Sequence, residues 1–461
     1  TLTAGYTLSL TIGGATNFEN ITGSGADEII NGDANANILK GGRGFDKIYG
    51  LAGDDTLYSQ TQAYASGVSD GSELYGGDGN DILYGSDGDD QLDGGAGADQ
   101  IKTGSGSDTI VIRVGSGGNA LENADTITDF TDGTDVLGLD DNLLYSQLTI
   151  SQGTGDHAND TIIKAGSEYL AILTGISASN VNYLDFASMA TGNQSFTGTS
   201  ENDVFIGAAG IDTVTTGTGN DVILTSSGND IITIDGAGNK TIDGGSGTDR
   251  LNLTSVSNLS TATELIIAND GSYFNITLSD GSTINTRNLE DFQVNGVNYG
   301  VYNYNAYEIG GGTTGGVRGV FLDSGTGVAY LAKSAVTYGG TTTYYGGRML
   351  YSTVDSVSVT SVIGTSLADE FGNDGQTWDN VVVDLGAGND FSYKTAFTNN
   401  SNISFGAGDD IAQIKMSAAA LTSLDTVNFD GGTGSDTLYF EESTLTAGYT
   451  LSLTIGGATN F

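Results

Sequence analysis

The chain has 461 residues, enough for about three ordinary domains with separate interiors. Its 57 acidic and 14 basic residues leave a formal charge of −43, which excludes nucleic acid and anionic lipid as natural partners and points to cations. Cysteine is absent, so neither disulfides nor thiolate metal sites can staple the fold, and proline is absent too, which suits long ladders of backbone hydrogen bonds.

Residues 1–21 read as linking strands, with TLTAGYTLSL followed by NFENITG. They lack a basic leader and an initiator Met, so the chain is expected to be part of something longer. From 22 to 111 a nine-residue phase takes over. Its unbroken stretch, residues 76–111, reads GGDGNDILY, GSDGDDQLD, GGAGADQIK and TGSGSDTIV. Upstream the same phase passes through GSELY, LAGDDTLYS, GGRGFDKIY, GDANANILK and GSGADEIIN. Each copy carries its own logic. The glycines admit positive φ and turn the chain tightly with carbonyl oxygens inward. The aspartate adds a hard anionic oxygen of the kind calcium prefers. The last three residues make a short strand whose middle aliphatic points to the core. The candidate metal ligands here are Asp27, Asp46, Asp55, Asp81, Asp90, Asp99 and Asp108.

This template, GGxGxDxUx with U a large aliphatic residue, is similar to that of the RTX calcium-binding family. The resemblance implies an all-β chain built from parallel β-roll (β-solenoid) arrays, with two nonapeptides per turn and several calcium ions shared between repeats two copies apart. On that reading Asp81 faces Asp99, Asp90 faces Asp108, Asp203 faces Asp221 and Asp212 faces Asp230. Ala36 and Ser72 stand where an aspartate is expected, and Lys240 falls in an irregular step, so weak or missing sites are expected at all three. The family also implies export by type I secretion, folding on calcium outside the cell, and an extracellular or bacterial cell-surface location.

Residues 112–197 read as a β-rich cap or linker that contains ADTITDFTDGTDVLGLD at 124–140. A second array spans 198–252, with candidate ligands Asp203, Asp212, Asp221, Asp230 and Asp249. Residues 253–363 form a second β-rich module, rich in tyrosine, whose aromatics fit a sandwich core better than a subunit contact or a glycan surface. A third, sparser array at 364–443 places Asp369, Asp390, Asp410 and Asp436 at separations of 21, 20 and 26 residues. One calcium-bearing loop per turn is expected there, with VVVDL and SNISF as the opposite strands. Trp378, in a polar insertion, reads equally as an exposed contact or a loop anchor. Residues 444–461 repeat residues 1–18 without a change and read as the start of a next tandem copy.

Catalysis is not expected. The only histidine is His157, no cysteine nucleophile exists, and neither a zinc-protease helix nor a phosphate-binding loop is present. Asp160, outside every array, is expected to tolerate replacement. No run of about 18 apolar residues occurs, so no membrane insertion is expected. The leading functional expectation is a structural unit of an extracellular filament or surface layer, with copies of itself as the partner. The alternatives are an adhesin stalk contacting a glycan or cell surface, and the calcium-binding, secretion-directing part of a larger enzyme or toxin.

Overall fold

The structure is a computed structural model that describes residues 6–10, 18–60, 70–268, 273–305, 317–338, 341–349, 352–354, 356–374, 376–416 and 427–442. Residues 444–461 and most of their counterpart at 1–18 therefore lie outside the described residues. Among the described residues there is no α-helix, only single turns of 3-10 helix, and none is long and apolar enough to cross a membrane. The chain divides into two compact units, residues 1–193 with 204–210, and residues 194–203 with 211–461.

In the first unit the nonapeptide period becomes two parallel sheets. One stacks Tyr6–Ser9, Glu28–Asn31, Lys47–Ala52, Glu73–Asp78, Gln91–Ala96, Thr109–Ile112, Val136–Leu139 and Phe186–Ser188. The other stacks Asn20–Thr22, Ile38–Lys40, Thr56–Tyr58, Ile82–Tyr84, Gln100–Lys102 and Asp125–Ile127. Partners lie two copies apart, as in Ile82 against Gln100 and Gln91 against Thr109. Extra residues between Tyr58 and Glu73 lengthen one turn, so that Lys47 pairs with Glu73.

Each copy sends one aliphatic side chain inward. Ile30, Ile48, Leu74, Leu92, Ile110 and Leu137 from one sheet face Leu39, Leu57, Leu83, Ile101 and Ile127 from the other, all fully buried. Burying such a side chain contributes about 1.5–3 kcal/mol. Ordering nine residues costs about 1–2 kcal/mol each. The aliphatic column alone cannot hold the roll.

The stack outlasts the nonapeptides. Asp125–Ile127 and Val136–Leu139 extend both sheets beyond residue 111, and the antiparallel strands Leu148–Gln152, Thr161–Ala165 and Glu168–Leu173 close one of them. That sheet no longer ends in a parallel strand, whereas the other ends in Phe186–Ser188, paired in parallel with Val136–Leu139.

The second unit begins with the same architecture. Ser195–Thr197, Thr213–Thr215, Ile231–Ile234, Arg250–Leu253 and Asp291–Val294 stack in parallel, opposite Asp221–Leu224, Lys240–Asp243 and Thr283–Arg287. The tyrosine-rich segment then folds as antiparallel strands, Val297–Asn305, Val317–Asp323, Val328–Tyr338 and Thr341–Tyr345. Val328–Tyr338 also pairs in parallel with Ser361–Ile363, which returns the chain to a roll. Tyr299 and Tyr330 are buried, and the Tyr299 hydroxyl donates to Asp323 at 3.2 Å, so these two are core residues.

The third array stacks Ser361–Ile363, Val382–Asp384, Asn402–Ser404 and Asn428–Asp430 opposite Glu370–Phe371, Phe391–Thr398, Ile411–Met416 and Thr437–Glu442. Its longer turns enclose aromatics. Trp378 is fully buried, with its ring 4.4 Å from that of Phe371, beside Phe397, Phe405 and Phe429. It is an anchor of the core and not an exposed contact.

Candidate metal centres

The sixth residues of successive copies come together in columns. In the first unit one column holds Glu28, Asp46, Ser72, Asp90, Asp108 and Asp135, and the other holds Asn37, Asp55, Asp81, Asp99 and Asp125. Apart from the Asp46–Ser72 step, the rungs share one geometry: a carboxylate Oδ1 accepts the backbone N–H of the sixth residue one turn earlier. The distance is 2.7 Å from Asp81 to Asp99, 2.8 Å from Asp90 to Asp108 and 3.0 Å from Asp99 to Asp125. In the second unit the columns are Gln194, Asp212, Asp230, Asp249 and Glu290, and Asp203, Asp221 and Lys240. Among its described residues the third array has one column, Asp369, Asp390, Asp410 and Asp436.

Two sequence assignments shift by one residue. Asp27 is exposed and lies at the fifth position, where its Oδ1 accepts the Phe45 N–H at 2.9 Å. Glu28 occupies the column instead. The ambiguity came from Ile29 and Ile30, either of which could be the buried aliphatic; Ile30 is buried and Ile29 is exposed, which fixes the register. Likewise Asn37, not Ala36, holds the aspartate's place. Ser72 stands where expected and brings no carboxylate.

The second carboxylate oxygen sorts the copies. In Asp46, Asp55, Asp81, Asp99, Asp108, Asp230, Asp249, Asp390, Asp410 and Asp436, Oδ2 is buried and no donor reaches it. In each of these copies the residue four positions earlier has positive φ. It is glycine in most, as at Gly77 and Gly95 (112° and 93°), but Leu51 (79°) before Asp55 and Ser226 (68°) before Asp230. Where that residue is extended or helical, its own N–H takes Oδ2 instead. Ser86 donates to Asp90 at 2.7 Å, Thr199 to Asp203 at 2.6 Å and Thr365 to Asp369 at 2.6 Å. Asp221 has the positive-φ form at Gly217, and its Oδ2 faces the Lys240 ammonium at 2.8 Å.

The first glycine of the copy completes the cradle. A Cβ at Gly76 would stand 2.3 Å from Asp81 Oδ2 and 2.4 Å from the Gly94 carbonyl oxygen, so no side chain fits between aspartate and neighbouring turn.

Burial, reinforced by neighbouring carboxylates, makes these groups hard to ionise within protein alone. It pushes Asp46, Asp81, Asp90 and Asp108 up to about 7, Asp55, Asp99 and Asp249 to about 6, and Asp390 to about 8. Asp125 is raised well above the usual carboxylate range. Among the described residues no three acidic or histidine side chains converge on one point. A cation here must therefore combine column carboxylates with backbone carbonyls. That donor set is all oxygen, partly anionic and unsatisfied, which fits calcium and not the nitrogen- or sulfur-seeking metals.

The match to a family model agrees with this chemistry. The family model of the RTX calcium-binding nonapeptide repeat matches in four copies, at residues 31–62, 75–110, 197–232 and 234–255. These are RTX repeats. They bind calcium ions, several across successive repeats. The matches fall in the first two arrays, and the third lies outside them. No curated protein matches the chain. Among solved structures, the extracellular lipase LipA from Serratia marcescens is 14% identical, over 61% of this chain and 38% of its own, with a TM-score of 0.14. The AlgE6R3 subunit of the Azotobacter vinelandii mannuronan C5-epimerase is 21% identical, over 35% of this chain and 80% of its own, with a TM-score of 0.12. The chain thus spans well under half of that lipase's length.

Several participants were not picked out from the sequence. Asp125, Asp135 and Glu290 extend the columns beyond the arrays. A second, exposed ladder runs along the fifth positions: Asp54 accepts from Asn80, Asn80 from Ala98, Asn220 from Asn239 and Asn389 from Asp409. The recurring N-D and D-D pairs were its signal. Asp160 is more than a neutral surface residue, since it pairs with His157 at 2.8 Å and accepts the Gly175 N–H at 2.8 Å. It staples two loops, and His157 is committed to that pair.

Proposed function

We propose that this RTX repeat protein is a structural unit of a secreted extracellular filament or surface layer, assembling with further copies of itself and folding once calcium is available outside the cell. The observation that carries this reading is the perfect repetition of residues 1–18 at 444–461. It is supported by what the first copy does: its strand Tyr6–Ser9 stacks in parallel register on Glu28–Asn31, at the start of the first array. The second copy follows Thr437–Glu442, the last described strand of the third array. In a tandem chain the same segment would end one roll and begin the next, leaving no open sheet edge between units. The histidine, His157, is held by Asp160, and the column aspartates are engaged in the rungs between turns.

Denaturing electrophoresis of native material tests this directly. A ladder of very large species, far above the 47.0 kDa of this chain, is expected. A single band near one unit mass, together with micrographs showing only isolated particles at millimolar calcium, would overturn it.

A further inference from the structure

Lys240 is among the largest fully buried side chains of the protein. It occupies the sixth position of DGAGNK, where the column carries an aspartate, in register with Asp221 one turn earlier. Its ammonium lies 2.8 Å from Asp221 Oδ2, 2.7 Å from the Gly219 carbonyl oxygen and 3.1 Å from the Ala237 carbonyl oxygen. The ammonium donates to the two carbonyl oxygens and forms an ion pair with the Asp221 carboxylate, so it faces three oxygens. Two come from the turn of Asp221 and one from the lysine's own turn, so the charge ties the two turns together.

Asp221 is otherwise like the carboxylates with an unsatisfied oxygen. Gly217, four residues before it, has φ of 70°, and Oδ1 is taken by the Asp203 N–H at 3.0 Å. The carboxylate and carbonyl oxygens that elsewhere call for a calcium ion are here closed by a side chain. Leaving either charge buried alone would be strongly unfavourable.

We propose that Lys240 is a tethered replacement for a calcium ion, which keeps the turns around Asp221–Leu224 and Lys240–Asp243 paired when calcium is withdrawn and gives the second array a calcium-independent starting point. This rests on the calcium reading of the other columns and adds a site from which the ion is excluded.

The test uses the full chain. In excess chelator, amides of 221–224 and 240–243 in the wild type should exchange about tenfold or more slowly than those of Ile82–Tyr84 and Gln100–Lys102. K240M should remove that difference. K240D should lose it as well, yet fold at millimolar calcium and bind one more calcium per chain by titration calorimetry. Equal exchange of the two segments in the wild type overturns the proposal, as does a folded K240D that gains no ion or a K240D that calcium fails to fold. A wild type that titrates no calcium overturns the reading of the columns as a whole. One that titrates calcium while K240D gains none overturns this proposal alone.

Discussion

A column aspartate has two oxygens with different duties. Oδ1 locks the backbone of the neighbouring turn, and Oδ2 is either satisfied by the copy's own second N–H or left for a cation. Asp99 is of the second kind and Asp90 of the first. Replacing Asp99 by Asn should therefore lower calcium affinity more than the same change at Asp90, and replacing Asp27, exposed at a fifth position, should leave it within error. Calorimetric titration of the three variants checks this, and equal losses at Asp27 and Asp99 would reverse the register. Leu51 makes a separate point, because a branched side chain at φ of 79° is held there by the stack rather than by its own preference. Asn tolerates that conformation, so Leu51→Asn, at a half-exposed position, should raise stability by about 0.5–1 kcal/mol in a urea titration with calcium present.

At the scale of the strand, the core is one aliphatic wide. Leu83 is fully buried between the strands of Thr56–Tyr58 and Gln100–Lys102, so Leu83→Ala should cost about 2–5 kcal/mol, whereas changing the neighbouring, half-buried Tyr84 should cost much less. Chemical denaturation at saturating calcium separates the two. This much was legible in the sequence, because a nine-residue period with a fixed aliphatic leaves little freedom once strands alternate their faces. The column partners of Asp81, Asp90, Asp203 and Asp212 followed from the resemblance to the RTX family, which implies two nonapeptides per turn. What was not legible had local causes. Adjacent isoleucines hid the register at Glu28, and Lys240 marked a missing site without showing that its ammonium would fold inward onto Asp221. The polar neighbours of Trp378 concealed a side chain that the wider third roll takes inside. Past residue 111 the nonapeptide wording stops while the backbone ladder goes on, so Asp125 and Asp135 could be recognised only once strands were paired.

For the molecule as a whole, the columns link folding to protons as well as to calcium. In an unfolded chain these aspartates titrate near 3.9, whereas burial raises Asp46, Asp81, Asp90 and Asp108 to about 7 and Asp390 to about 8 in the fold. Between those values the folded state binds more protons than the unfolded one, so stability without calcium must fall as pH rises. The contribution is fully present below about pH 4 and is lost through the window up to about pH 8. The overall charge of −43 pushes the same way, since self-repulsion grows as carboxylates ionise. Calcium reverses the slope, because it binds the ionised columns and competes with the protons, so a loaded chain gains stability over the same window. Thermal melts at pH 5 and pH 8, each with calcium and with chelator, should therefore cross: the calcium-free chain melts higher at pH 5, and the loaded chain melts higher at pH 8. A calcium-free melting temperature that rises between pH 5 and pH 8 would mean that the column carboxylates are solvated and ionised without the ion, and the calcium dependence of folding would need another source.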